Sequence, residues 1–123
     1  MTTAFNPQRQ TYAKYDDNHY LLFLNEQEAE QTDEQTQETV KGYTYTGNRP
    51  DGSTLIEAGD VSDLNIRSKF IAGLIGTQYT RDDQIALLAN GEDSNEHAEE
   101  LAVFHQNRKL AKQSVDELLS RNI

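Results

Sequence analysis

Apolar residues in this chain come in short bursts separated by polar tracts, and each burst has its own period. His19–Leu24 (HYLLFL) is a compact aromatic and aliphatic run. Its length suits a buried strand, and a brief helix satisfies the same pattern. Thr39–Thr46 (TVKGYTYT) and Ser53–Ala58 (STLIEA) are rich in β-branched and aromatic residues. Between them lies Gly47-Asn48-Arg49-Pro50-Asp51-Gly52, where Pro presets φ and Asp-Gly supplies a positive-φ position. These two runs are therefore expected to form a β-hairpin. Tyr43 and Tyr45 share one face of its first strand by the two-residue period.

Past Ala58 the period changes to that of a helix. Leu64, Ile66, Phe70, Ile71, Leu74 and Ile75 recur at helical spacing behind Ser62 or Asp63 as a cap. Gly73 and Gly76 then permit close helix packing or a stop. Thr80-Arg81-Asp82-Asp83 forms a Thr-x-x-Asp capping box, with Ile85, Leu87 and Leu88 as the buried face and Asn90-Gly91 as the C-cap. A third helix begins near Asp93 or Ser94 and runs to about Arg121. Its stripe Leu101, Phe104, Arg108, Ala111, Val115, Leu118 alternates spacings of three and four, a heptad seam interrupted by Arg108. Val103, Leu110 and Leu119 add a second apolar flank. Such a helix either enters a core or joins another subunit.

The remaining tracts are polar. Residues 1–17 carry only scattered aromatics (Phe5, Tyr12, Tyr15) and read as an extended arm. Asn25–Glu38 holds six acids, no base and one apolar residue, Ala29. That composition buries too little surface to offset ordering entropy, so residues 25–38 read as an exposed acidic loop or a weak solvated helix. The expected fold is α+β. A short β-hairpin or small antiparallel sheet precedes three α-helices, the last one long, within a single domain over residues 18–123.

Composition narrows the function classes. Apolar residues make up 35% of 123 residues, and the mean hydropathy is −0.83. The core is therefore thin, and part of the apolar surface is available to a partner. The formal charge is −10, and the densest basic cluster is Arg108, Lys109 and Lys112. Nothing here resembles the basic patch that phosphate contacts require, so neither nucleic acid nor a membrane surface is an expected partner. An acidic, solubilising surface and an acidic decoy for a basic protein both fit this charge. There is no cysteine, which removes disulfides, thiolate metal sites and thiol nucleophiles. The first ten residues lack the charged and apolar regions of a signal peptide, and no apolar run approaches bilayer-spanning length. Synthesis and residence in the cytoplasm are expected.

Candidate chemistry is sparse. His97 and His105 stand eight residues apart, about 12 Å along a helix, too far to chelate one ion. Glu96, His97 and Glu100 share a face but fit an acidic helix start better than a metal site. The acidic pairs Asp16/Asp17, Asp82/Asp83, Glu99/Glu100 and Asp116/Glu117 are sequence neighbours, so they point apart instead of converging on a pocket. No nucleophile elbow, phosphate loop, zinc motif or calcium loop occurs. Asp82 and Asp83 would face phosphates if Ile66–Asn90 were a DNA-reading helix-turn-helix, which excludes that reading. No catalytic residue, metal or cofactor is expected. The candidate partner-binding residues are Tyr43, Tyr45, Leu101, Phe104, Arg108, Leu110, Val115 and Leu118, and the expected partners are protein subunits, either copies of this chain or others.

Phe70-Ile71-Ala72-Gly73-Leu74-Ile75, Tyr79-Thr80-Arg81-Asp82-Asp83-Gln84-Ile85-Ala86-Leu87 and the polar helix Phe104–Lys112 resemble small proteins encoded in phage and prophage tail or structural-gene regions. Among these are tail fibre assembly proteins. Their C-terminal portion carries Ile, three residues, Tyr, Ser or Thr, two residues, Asp-Glu, then Ile or Leu and Ala-Leu-Leu. The match spans Tyr43 to Leu119, departs at Gln84, where the family favours an acid, and lacks a cysteine frequent in the family's last helix. The resemblance implies a non-enzymatic virion or assembly role in the host cytoplasm or the particle. The competing expectation is an acidic inhibitor that captures a basic host protein through Asn25–Glu38 or Glu92–Glu100.

Overall fold

A computed structural model describes residues 1–90 and 95–121. Strands β1 (Thr2–Asn6), β2 (Tyr12–Asp16), β3 (His19–Leu22), β4 (Gln27–Thr32), β5 (Thr39–Gly47) and β6 (Thr54–Glu57) precede helices α1 (Ile66–Gly76), α2 (Arg81–Asn90) and α3 (Asn95–Ser120). The class is α+β, as the periods predict. The strands form two antiparallel three-stranded sheets, ordered β1-β5-β4 and β2-β3-β6.

Pairing corrects three expectations. Residues 1–17 are not a free arm. Thr2–Asn6 zips along β5 from Thr2↔Gly47 to Asn6↔Tyr43, and Tyr12–Asp16 pairs with β3. Nor is residues 25–38 an acidic loop, because Gln27–Thr32 pairs residue by residue with Thr39–Thr44. The backbone ladder orders this tract although its side chains bury almost nothing, so it forms an exposed edge strand. Its turn is built by Asp33, whose carboxylate accepts N–H bonds from Gln35 and Thr36 at 2.8 and 3.4 Å. Gln37 takes the positive φ of 62°.

The hairpin partner of β5 is therefore β4, upstream, and the expected pairing of β5 with the Ser53–Ala58 run does not occur. The segment Gly47–Gly52 still turns the chain. Gly52 takes φ +82°, the Gly52 N–H donates to Arg49 O, and the Arg49 N–H donates to Ser53 O. Here the turn delivers the chain into the other sheet, where β6 pairs with β3 in the register Tyr20↔Ile56.

The core lies between the β2-β3-β6 sheet and helices α1 and α3. Leu22, Ile56, Phe70, Phe104, Val115 and Leu118 are its fully buried centre. Phe70 sits 5.1 Å edge-on to Tyr12 and 5.3 Å from Tyr20, sealing the sheet face. Gly73 permits the close approach of α1 to β6. A Cβ there would stand 2.6 Å from Glu57 O and 3.0 Å from Ile56 Cδ1.

Helix boundaries follow the sequence with adjustments. Helix α1 starts later than Ser62 or Asp63 predicts. Asn65 is its N-cap and makes no side-chain cap bond, while Ser62 O accepts from the Asn65 and Ile66 N–H groups. Leu64 precedes the helix and is fully exposed, so it leaves the predicted apolar face. The capping box of α2 forms. The Asp83 N–H donates to Thr80 Oγ1 at 3.1 Å, and the Thr80 N–H donates to Asp83 Oδ2 at 3.3 Å. Its expected apolar face forms only at Leu87, which packs part-buried against the core; no α2 residue is fully buried, and Ile85 and Leu88 stand in solvent. The proposed Gly91 cap and the Asp93 or Ser94 helix start lie outside the described residues. No helix among the described residues is long and apolar enough to cross a membrane.

Candidate functional site

Most of the predicted partner-binding residues are already occupied within the chain. Phe104, Val115 and Leu118 are core residues, Tyr45 is buried, and Leu101 packs partly against the core. The heptad seam therefore faces this chain's own sheet and α1, a correction to its assignment as a subunit interface. Arg108 is half-buried, with its guanidinium 5.8 Å from the Phe104 ring. Tyr43 is half-buried beneath Arg9, 5.5 Å from its ring centre. Of the eight, only Leu110, 48% exposed, is a free apolar side chain. Tyr43 and Tyr45 do share a face, but they pack rather than await a ligand.

Tyr45 belongs to an ion network that sequence reasoning missed. Its hydroxyl donates to Glu26 Oε2 at 2.8 Å and accepts the Gln10 N–H at 2.8 Å. Arg9 grips the same carboxylate through Nη2 at 2.8 Å and Nε at 3.1 Å. From the end of α3, Arg121 reaches Glu26 at 3.5 Å, stacks over Tyr45, and binds Glu117 through Nε at 3.0 Å. Its Nη1 donates to the carbonyls of Phe23 (2.6 Å) and Gln10 (3.1 Å). The side chains of Arg121 and Glu26 are 1% and 8% exposed.

Burial pushes the Tyr45 hydroxyl up to about 12, and the Glu26 carboxylate beside it acts in the same direction. Burial also pushes Glu26 upward, but hydrogen bonds from Arg9 and Tyr45 and the charge of Arg121 outweigh it, leaving Glu26 below its ordinary value. No buried side-chain polar atom among the described residues lacks a partner, and the cluster ties the end of α3 to β5 and to the segments that follow β1 and β3. The one sequence trace of it is the Glu117/Arg121 i,i+4 pair.

The open surface lies elsewhere. Helices α2 and α3 splay apart from Tyr79 to leave a groove of about 720 Å³. Its apolar lining is Tyr79, Ala86, Leu87 and Val103. Its acidic lining is Asp83, Glu96, Glu99 and Glu100, with His97 beside them. The base is fixed by Tyr79, whose ring stands 4.8 Å edge-on to Phe104 and whose hydroxyl accepts from Asn107 Nδ2 at 2.8 Å. Val103, 57% exposed, belongs to the second flank of α3 that the sequence picked out. Glu96, His97 and Glu100 form no group suited to a metal ion among the described residues. No protein family, curated protein or solved structure matches this chain.

Proposed function

We propose that this chain is a non-enzymatic docking protein of the phage structural or assembly kind, working in the host cytoplasm during assembly or on the particle. The observation that supports it most is the division of α3. One stripe closes the chain's own core, while Val103, in the groove beside α2, and Leu110, further along the other flank, stay in solvent. Apolar positions left open on an otherwise completed fold fit a surface that another chain covers. The resemblance of Ile75–Leu88 to tail fibre assembly proteins supplies the biological setting of the proposal.

The test is to identify the genes flanking this one and to co-express their products pairwise with it. Stable complexes with head, portal or tail proteins, measured by light scattering, are the expected result. A chain that remains a lone monomer in every pairing refutes the assignment. The acidic-inhibitor reading has its own support in the exposed carboxylates of β4, Glu28 and Glu30. It requires salt-sensitive capture of a basic host protein that neutralising the exposed Glu28, Glu30 and Glu34 abolishes, the Glu26 side chain being buried in the ion network.

A further inference from the structure

The groove between α2 and α3 combines two features that specify an occupant. Its apolar lining is partly open to solvent, and the four carboxylates among its described lining residues disfavour an anionic partner. Helix α2 has ten residues, fewer than the roughly 12–15 at which isolated helices become even marginal in water. It has no buried residue, and its apolar side chains in the groove are Ala86 and the half-buried Leu87, while Ile85 and Leu88 are exposed outside the groove lining. Two helices splayed around an apolar trough are completed geometrically by a third helix laid into it. The acidic lining sets that helix's charge. Asp83 stands on the α2 wall, and Glu96, Glu99 and Glu100 stand on the α3 wall.

We infer that this groove docks a basic amphipathic helix of a partner protein. Apolar side chains of the helix would enter between Tyr79, Leu87 and Val103, and flanking Lys or Arg side chains would meet Asp83, Glu96, Glu99 and Glu100. The inference rests on the docking-protein reading above and names the partner surface it requires. A second copy of the chain is disfavoured as the occupant, since each copy brings a formal charge of −10. A helix turn about 10–12 Å wide and 5.4 Å long fills roughly 400–600 Å³, so a groove of about 720 Å³ would engage only a short stretch of the helix.

The test uses the full chain, isotope-labelled, and a synthetic Leu/Lys peptide of about four turns patterned as an amphipathic helix. A scrambled peptide of identical composition serves as the control. Binding of the patterned peptide should perturb backbone resonances in Tyr79–Asn90 and Glu96–Val103. The triple change Glu96→Gln, Glu99→Gln, Glu100→Gln should weaken it about tenfold. The equal charge change Glu28→Gln, Glu30→Gln, Glu34→Gln on and beside β4 should weaken it less than about twofold. Val103→Asn, which leaves charge unchanged at an exposed position, should weaken it about threefold.

Equal loss from both triples, equal binding of the scrambled peptide, or resonance shifts elsewhere would each overturn the inference. So would a concentration-dependent dimer whose interface is the groove. A complex with a virion protein that survives the groove triple would overturn the groove assignment and leave the docking function standing. Peptide binding without any virion complex would do the reverse.

Discussion

Replacing Arg121 with methionine removes a cation held by two backbone carbonyls and two carboxylates at a site where its side chain is 1% exposed. Methionine restores much of the apolar stem but none of the donors. The Phe23 and Gln10 carbonyls lose this donor, each at a cost of about 1–3 kcal/mol where buried. Glu26 keeps Arg9 and Tyr45, and Glu117 is half-exposed and turns to water, so neither becomes an isolated buried charge.

The net loss should be about 3 kcal/mol, the lower end of the range for breaking a buried pair. With an unfolding entropy of about 2.1 cal/mol/K per residue, 123 residues convert that into a fall of about 12 °C in melting midpoint. Arg121→Lys keeps the charge but not the fork, and should fall between the variant and the parent. Circular dichroism melts, with urea titrations to confirm an unchanged m-value, read both. If R121M melts within about 3 °C of the parent, the network is not what holds the end of α3 in place.

Three further outcomes follow from the packing. Gly73→Ala improves helix propensity but drives a methyl into Glu57 O and Ile56, so it should destabilise by about 1–3 kcal/mol in a urea titration, not stabilise. Phe104→Ala should cost about 3–5 kcal/mol, whereas Leu110→Ser, on the exposed flank of the same helix, should stay within about 0.5 kcal/mol by the same measurement. Glu26 is depressed below 4.5 in the folded chain, so its contribution is intact above that value and is lost as pH falls through the lower, folded one. Acid titrations followed by circular dichroism should show this loss at acid pH and a flatter profile for Glu26→Gln.

Helices were the legible part of this sequence. The α3 seam Leu101–Leu118 and the Thr80/Asp83 box are each specified by residues within a few turns of one another, and local spacing was enough to find them. Strand partners were not legible from such signals. The Pro50-Asp51-Gly52 turn is genuine, but a turn reports only that the chain bends. It does not reveal that β5 has already been claimed on both edges, by β1 and β4. The tract Gln27–Thr32 was opaque for a related reason, since its order comes from main-chain bonds to Thr39–Thr44 and leaves no mark in hydrophobicity. The ion network joins residues 9, 26, 45 and 121, and no periodicity connects positions so distant in sequence. Of the candidate docking surface, the second flank of α3 was readable, while the groove needed the splay of α2.

The position of β5 at the centre of its sheet also fixes an order of events in time. The β4/β5 and β2/β3 ladders close over tight turns, so each can form within about 1–10 μs. Strand β1 can add only after β5 exists, across the whole intervening chain, and the Arg121 bond to Gln10 spans nearly the full sequence. Two local ribbons should therefore appear first, with the first strand and the last helical turn joining late. Substitutions at Arg121 would then accelerate unfolding and leave the folding rate nearly unchanged.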